Sequence, residues 1–193
     1  MDEGLRLSGE ARALAEREGL RAVVFVEGAS DHAALVALAG RQGRDLDAED
    51  VAVVPMDGFS GIGRFLAVFG PAGRDLRLAG LCDEAEAGYV AGRLARAGVD
   101  AAPFHVCRPD LEGELIRAAG PAGVEAVLDT LGDLATFRRF QRQPAQRERD
   151  LEAQLHRFLG TASGRKVAAA RALVAALPLA RVPAPLLAVL EDV

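Results

Sequence analysis

Aromatic residues, cysteine and lysine are scarce in this sequence. Its 193 residues include no tryptophan, one tyrosine and two cysteines, whereas half are hydrophobic and 26% are charged. This balance is typical of a globular domain and excludes a disordered chain. Aliphatic side chains and alanine must therefore fill most of the core. Cys82 and Cys107 lie in apolar runs, which is typical of buried thiols in a protein of the reducing cytosol.

The sequence also lacks the features of a membrane span and of a secretory leader. Residues 1–19 are charged and have a helical pattern, so no apolar leader segment opens the chain. The apolar tail at residues 167–190 contains two arginines and three prolines, which are costly in a membrane. We therefore expect a soluble, cytoplasmic protein.

An overall positive charge is missing as well, because the net charge is −5. The basic residues are nevertheless concentrated in residues 137–171, which contain nine basic residues and three acidic ones. A solvated arginine-rich helix would explain this segment. A basic face beside an acidic pocket would explain it too.

Two kinds of periodicity divide the chain. Apolar runs typical of buried strands occupy residues 22–26, 51–56, 78–82 and 103–107. Helical patterns lie between them at residues 31–42, 61–69 and 89–97, and beyond them at residues 111–119, 123–131, 148–159, 165–177 and 185–190. Alternating strands and helices predict a parallel sheet with right-handed crossovers. We expect an α/β core with an N-terminal helix over residues 1–120 and a packed helical extension over residues 121–193.

The most informative stretch is residues 23–35, VVFVEGASDHAAL. Its apolar run ends in Glu27, turns through Gly28 and restarts as a helix, for which Ser30 is the expected N-cap. Glu27 then lies at the carboxyl end of a strand and Asp31 in the first turn of a helix. Ligands collect at this edge of an open parallel sheet. Favourable contact with the helix dipole would be the structural explanation for Asp31.

Other acidic residues follow the later strands. Asp83 ends one apolar run, and Asp110, Glu112 and Glu114 follow the next. Carboxylates that converge in this way repel each other unless a cation lies among them. Oxygen ligands favour Mg²⁺ or Mn²⁺, so we expect the carboxylates of Glu27, Asp83 and Glu112 within reach of one ion. The three histidines are scattered, and we expect ordinary surface or hydrogen-bonded roles for them.

These residues carry a resemblance to a known family. The string VFVEGASDHAAL, with an aspartate at the end of the third strand, resembles a TOPRIM domain, the fold of topoisomerases, bacterial primases and certain nucleases. The later DLEGEL and GRK strings make the chain similar to the TOPRIM domain of the overcoming-lysogenization-defect (OLD) nucleases, over about residues 22–174. OLD proteins usually carry an ATPase domain. This sequence has no G-x-x-x-x-G-K-[ST] loop, so the resemblance implies an ATPase only as a separate partner.

The resemblance implies a Rossmann-like fold with about four parallel strands and metal-dependent hydrolysis of DNA with two Mg²⁺ or Mn²⁺ ions. Glu27 would be the acid of the first motif, a metal ligand or proton-transfer group. Asp31 would be the additional nuclease acid and Asp83 the first acid of an Asp-x-Asp motif. The second position of that motif is Ala85, which departs from the family.

The remaining motif residues follow in the same way. Glu86 is our preferred substitute for the missing second acid, ahead of Glu84. Glu112 would be the acid of the later metal motif, with Asp110 beside it. Lys166 would stabilise charge that develops on phosphate.

Lys166 also has support from composition. The chain contains one lysine against twenty-two arginines. Its survival suggests a position where a compact ammonium is needed and a forked guanidinium will not serve. Chance survival of one surface lysine is the alternative.

Two further segments are candidates for contact with nucleic acid. The glycine-rich loop at residues 57–63 would allow close approach of a backbone, although an ordinary βα turn explains it better. Arginines after Phe137 would bind phosphates without reading sequence, namely Arg138, Arg139, Arg142 and Arg165.

Three functions therefore stay open. The chain is a metal-dependent endonuclease or nickase, or a binding module in which Ala85 marks lost catalysis, or another α/β domain with acids at strand ends. A receiver-like domain would need its lysine at a strand end, whereas Lys166 lies in a late helix. A phosphatase of the Asp-x-Asp type would need both acids directly after its first strand, which the Glu27–Asp31 spacing does not provide.

Overall fold

The computed structural model describes residues 9–101, 103–162 and 164–193. Four strands form one sheet, β1 (Ala22–Val26), β2 (Val51–Pro55), β3 (Arg77–Asp83) and β4 (Phe104–Cys107). Their order is β2-β1-β3-β4, and every neighbouring pair is parallel. The predicted parallel sheet and the α/β fold class are confirmed.

Helices cover both faces of this sheet. In chain order they are α1 (Gly9–Glu16), α2 (Ala29–Arg41), α3 (Ile62–Phe69), α4 (Ala87–Ala97), α5 (Leu111–Thr130), α6 (Leu134–Gln141), α7 (Leu151–Leu159), α8 (Arg165–Ala176) and α9 (Ala184–Glu191). Short 3₁₀ turns lie at Phe59–Gly61, Pro144–Gln146 and Leu179–Arg181. Among the described residues, no helix is both long enough and apolar enough to cross a membrane.

The alternation of side chains along β1 produces two cores. Val24 and Val26 pack with α2, α5 and the C-terminal helices on one face. Val23 and Phe25 pack with α3 and α4 on the other face. Each of these residues is fully buried, as expected for a central strand of a parallel sheet.

The chain leaves β1 and β3 on opposite faces, because α2 belongs to the first core and α4 to the second. These two strands are neighbours in the sheet. A reversal of this kind opens a crevice at the carboxyl ends of the two strands, where α/β proteins bind their ligands. Glu27 and Asp83 stand at those two ends.

Two arginines attach the C-terminal helices to the core. Arg41, the last residue of α2, donates hydrogen bonds of 2.6 Å to the carbonyl oxygens of both Val174 and Leu177. Arg44 donates to the carbonyl oxygens of Leu190 and Val193. The last carbonyls of a helix have no partner within the helix, so these guanidinium groups satisfy them and complement the helix dipole. As a result α8 runs beside α2, and both helices begin at the carboxyl edge of the sheet.

The structure corrects the expected cap of α2. Ser30 is not the N-cap of α2: the helix is capped at Gly28, whose backbone N–H donates to the Asp31 carboxylate at 3.1 Å. The expected break at Gly120 and Pro121 is confirmed: two helical stretches meet at a kink within the span of α5, where Gly120 leaves the helical conformation with a φ of 69°. Helix α6 was missing from the sequence prediction, because its eight residues include only two buried ones, Phe137 and Phe140. The domain boundary at residue 120 stays a prediction.

Candidate metal and nucleic-acid site

A cavity of about 450 Å³ opens at the carboxyl edge of the sheet. Its walls come from the ends of β1, β2 and β3, the beginnings of α2 and α5, and the turn that leads into α8. The charged side chains that line it are Glu27, Asp31, Asp57, Asp83, Glu112 and Lys166. The structure therefore brings together four of the acids predicted from the sequence and the predicted lysine.

Glu27 and Asp83 form the centre of this site. Glu27 follows β1 and Asp83 ends the neighbouring β3, in a register that pairs Val26 with Leu81, and their carboxyl groups lie close enough to interact. Burial, and then the negative charge of Glu27, raises the pKa of Asp83 well above its ordinary value. Two carboxyl groups this close repel each other when both are charged, so a positive charge between them is favourable.

Asp31 lies on the first turn of α2 and is 6% exposed. Burial raises its pKa to about 6, against the hydrogen bond from Gly28, and the charges of Glu112 and Glu27 add to the rise. The side chain therefore caps its own helix and also belongs to the group of mutually repelling acids.

Glu112 and Lys166 form an ion pair across the cavity, with 3.0 Å between the ammonium nitrogen and one carboxylate oxygen. Glu112 is 4% exposed, and its other oxygen, Oε1, is buried with no hydrogen-bond partner among the described residues. Burial lowers the pKa of Lys166, but the charge and hydrogen bond of Glu112 together with the charges of Asp110 and Asp31 outweigh it, so the net shift is upward. Lys166 is thus a charged ammonium fixed toward the acids.

The side chains of the two glutamates that follow Asp83 have different surroundings. Glu84 is exposed and pairs with Arg108 at 2.9 Å. Glu86 interacts with Glu27, and burial and then that charge raise its pKa, while the backbone N–H of Phe59 hydrogen-bonds to it. Its Oε2 atom is buried without a partner among the described residues. Of the two glutamates considered as substitutes at the Ala85 motif, Glu86 is the one beside Glu27, although it does not line the cavity.

Asp110 is occupied by structural contacts. One carboxylate oxygen accepts the N–H of Gly113 at 2.8 Å and caps α5, and the other lies 2.7 Å from His156 Nε2. His105 lies equally close to Asp192. The expectation that histidines are satisfied rather than clustered is confirmed for these two, and Asp110 borders the site without lining the cavity.

The donor set suits a hard divalent cation, because it consists of carboxylate oxygens that repel each other and includes the unpartnered Glu112 Oε1. The expectation that the carboxylates of Glu27, Asp83 and Glu112 lie within reach of one ion was wrong. Across the described ranges, no three His, Cys, Asp or Glu side chains converge to hold one ion. Glu27 lies beside Asp83, whereas Glu112 pairs with Lys166 on another side of the cavity, because a buried carboxylate is stabilised by the nearest cation.

The predicted nucleic-acid-binding arginines fall into two groups. Arg165 pairs with Asp133 at 2.9 Å and covers the ring of Phe158 at 4.1 Å, so its guanidinium is committed to the fold. Arg138 pairs with Glu125 at 2.6 Å. Arg139 and Arg142 are exposed and make no ion pair among the described residues. These two are the members of the set that remain accessible to a phosphate backbone.

The cavity contains one acid that the sequence reasoning missed. Asp57 follows β2 and lines the cavity. Its φ of 52° is unusual for a residue other than glycine. The signal was present, since Asp57 follows a predicted strand as Glu27 and Asp83 do, but the loop was considered only for its glycines.

Comparison with known proteins agrees with this geometry. Residues 20–83 match the family model of the overcoming lysogenization defect protein-like TOPRIM domain. The C-terminal region of the Burkholderia pseudomallei OLD protein superimposes with a TM-score of 0.64 at 20% identity, covering 90% of this chain and 97% of that one. The C-terminal region of the Xanthomonas campestris pv. campestris OLD protein gives a TM-score of 0.63 at 23% identity, covering 91% and 95%. No curated protein sequence matches significantly. Residues 20–83 are thus similar to the OLD-like TOPRIM domain, and the chain has the fold of the C-terminal region of OLD proteins.

Proposed function

We propose that this chain hydrolyses phosphodiester bonds in nucleic acid, with DNA as the expected substrate, and that the reaction depends on Mg²⁺ or Mn²⁺. TOPRIM domains generally bind divalent metal ions, which fits the donor set of this site. The observation that carries the proposal is the single cavity in which Glu27, Asp31, Asp83 and Glu112 face the only lysine of the chain.

Two ions would be held by the cavity acids Glu27, Asp31, Asp83 and Glu112, with Glu86 and Asp110 at the border. Bound there, such ions would polarise the phosphodiester and lower the pKa of the attacking water. Glu27 and Asp83 would hold such an ion between them, because a cation there would offset the repulsion that raises the pKa of Asp83. The unpartnered oxygen of Glu112 is already free to become a ligand.

Lys166 would act on the phosphate itself. It is the second residue of α8 and lies at the wall of the cavity. A compact ammonium there would stabilise the negative charge that develops on the phosphate oxygens during attack. In the absence of a substrate Glu112 holds this ammonium in place at 3.0 Å.

Glu27 is the candidate for proton transfer. Its carboxyl group interacts with that of Asp83 at the carboxyl edge of the sheet. A carboxylate in that position can accept a proton at its oxygen and return it to the leaving group. The carboxyl end of β1, which is hydrogen-bonded on both sides to β2 and β3, fixes the position of Glu27.

A second function has its own support. Ala85 stands where the resemblance implies an acid, and the acids of the described part of the chain do not converge on one point. A TOPRIM module with lost catalysis would still bind nucleic acid or metal, and it would act together with a separate partner such as an ATPase.

A plasmid-nicking assay separates the two functions. The wild-type chain is incubated with supercoiled DNA in Mg²⁺, in Mn²⁺ and in chelator, and a gel shift is run at the same salt concentration. We expect nicked or linear DNA with a divalent ion and none with chelator. Binding without nicking in either metal would favour the degenerate module. A wild-type chain that fails both to bind and to nick DNA would contradict both proposals.

A further inference from the structure

A second cavity, of about 320 Å³, lies on the other face of the same sheet edge. It is formed by the turn after β2, the first turn of α3 and the middle of α4. The residues that line it are Ser60, Gly61, Gly63, Arg64 and Arg93. Two guanidinium groups and no acid therefore line it, in contrast to the first cavity.

Arg93 is a half-buried residue, and its guanidinium makes no hydrogen bond or ion pair with any residue that the structure describes. A partly desolvated cation with no counter-charge is unfavourable in a protein unless something else supplies the negative charge. Charges of this kind are usually paired with a carboxylate, as Arg165 is with Asp133.

The two glycines make room for these arginines. A Cβ atom at Gly63 would lie 1.9 Å from an Arg93 guanidinium nitrogen, and a Cβ atom at Gly61 would lie 2.9 Å from one of Arg64. Both obstructions are the ends of flexible side chains, so the fold itself could tolerate alanine here. Gly63 lies in the first turn of α3, where alanine is the better helix former. Glycine at this position costs helix stability and preserves the location of a cation.

The turn between the two cavities is held rigidly. The Tyr89 hydroxyl on α4 donates to the carbonyl oxygen of Ser60 at 3.1 Å. The backbone N–H of Phe59 hydrogen-bonds to the carboxylate of Glu86. Two residues before Ser60 the same segment reaches the first cavity, which Asp57 and Gly58 line.

We infer that the Arg64–Arg93 cavity is a subsite for a backbone phosphate of the nucleic acid, adjacent to the phosphodiester that occupies the acidic cavity. This inference rests on the proposed function and names a part of its substrate site. An acidic cavity repels a polyanion, so binding there is favoured when a cationic pocket holds a neighbouring phosphate. Arginine suits that task because its forked donors match phosphate oxygens.

The test compares DNA binding by four proteins: the wild type, Arg93→Gln, Gly63→Ala and the control Arg96→Gln. Arg96 lies three residues further along α4, is exposed and does not line the cavity, so the control removes the same charge outside the subsite. A fluorescein-labelled DNA duplex is titrated in chelator at several salt concentrations, and fluorescence anisotropy gives the affinity. Melting temperatures are measured in parallel.

We expect Arg93→Gln to weaken binding on the order of tenfold, as for loss of a charged hydrogen bond. It should also reduce the slope of log affinity against log salt by about 0.9, as for loss of one phosphate contact. Gly63→Ala should weaken binding in the same direction with an unchanged or higher melting temperature. Arg96→Gln should have a clearly smaller effect on both quantities.

Two results would overturn the subsite while the proposed function stands. In the first, the wild type binds DNA, and Arg93→Gln and Arg96→Gln lose affinity equally. This would indicate general electrostatic attraction. The other is Gly63→Ala with wild-type affinity and salt dependence. A wild type without affinity for DNA would contradict the proposed function itself, and the subsite with it.

Discussion

The strand ends and the C-terminal helices contribute to the cavity in different ways. Glu27 and Asp83 stand at the ends of β1 and β3. Backbone hydrogen bonds to a strand on each side fix the positions of both strands. Lys166 lies on α8, which is attached through side chains, by apolar packing on α2 and by Arg41 at its far end. The acids therefore depend on the sheet, whereas the lysine depends on how a separate helix is seated. Damage to the two regions should have different consequences.

Removal of a strand-end acid should have the largest effect. We expect Asp83→Ala to abolish Mg²⁺- or Mn²⁺-dependent nicking, because the donor set loses a central carboxylate. DNA binding should be unchanged or tighter, since a negative charge facing phosphate is removed. Asp129→Ala, which removes an exposed acid from α5, is the matched control. Nicking by Asp83→Ala at the wild-type rate would exclude this residue from the reaction.

Substitution of Lys166 on α8 should have the second-largest effect on cleavage. Lys166→Arg keeps the charge and a partner for Glu112, but it places a broader, forked cation at the phosphate. Losing a well-placed donor costs roughly 10²–10³ in rate, or about 3–4 kcal/mol. Single-turnover cleavage with saturating enzyme measures this loss, and anisotropy should show nearly unchanged affinity. Arg171→Lys, the reverse exchange on the exposed side of the same helix, should cleave at the wild-type rate; a similar loss there would indicate a general effect on α8.

The two arginines that attach the C-terminal helices should separate stability from activity. Arg41→Ala leaves the Val174 and Leu177 carbonyls without their donor, and Arg44→Ala does the same at the end of α9. We expect each to lower the free energy of unfolding by about 2 kcal/mol, measured by urea denaturation. Only Arg41→Ala should also slow cleavage, because α8 carries Lys166 and α9 carries no cavity residue. Equal slowing in both variants would contradict a specific role for the seating of α8.

The accessible arginines should have the smallest effect. Arg139→Gln and Arg142→Gln should each weaken DNA binding only severalfold, because exposed charges in high dielectric contribute modestly. Arg138 is already neutralised by Glu125, so Arg138→Gln should change affinity less than either of them. Anisotropy at fixed salt measures the order. A larger loss for Arg138→Gln than for Arg142→Gln would show that the ion pair opens on DNA.

The strand-end acids could be predicted from the sequence because local patterns determine their position. An apolar run followed by an acid, as at Glu27 and Asp83, predicts a carboxylate at the carboxyl edge wherever the strand lies in a parallel sheet. The same reasoning could have included Asp57. The four strands and most helices follow from the same periodicities.

Other features depend on contacts that no local pattern contains. The cap of α2 is Gly28 with the Asp31 side chain rather than Ser30, because a carboxylate three residues inside the helix satisfies the same backbone N–H. Helix α6 is short and mostly exposed, so its periodicity is weak. The pairing of Lys166 with Glu112, and of Asp110 with His156, joins residues from different helices. Their side-chain directions, and hence the absence of a converged trio among the described acids, follow from tertiary packing.

A double-mutant cycle in single-turnover cleavage tests most directly whether the acids and the α8 lysine act as one catalytic unit. The cycle compares the wild type, Asp31→Asn, Lys166→Arg and the double variant on the same DNA in Mn²⁺. Asparagine keeps an oxygen that can accept the Gly28 N–H, so the cap of α2 is preserved. If both side chains act on one phosphodiester, the double variant should be about as slow as the slower single variant. Losses that multiply would show that the two residues act independently, which would contradict a single composite site.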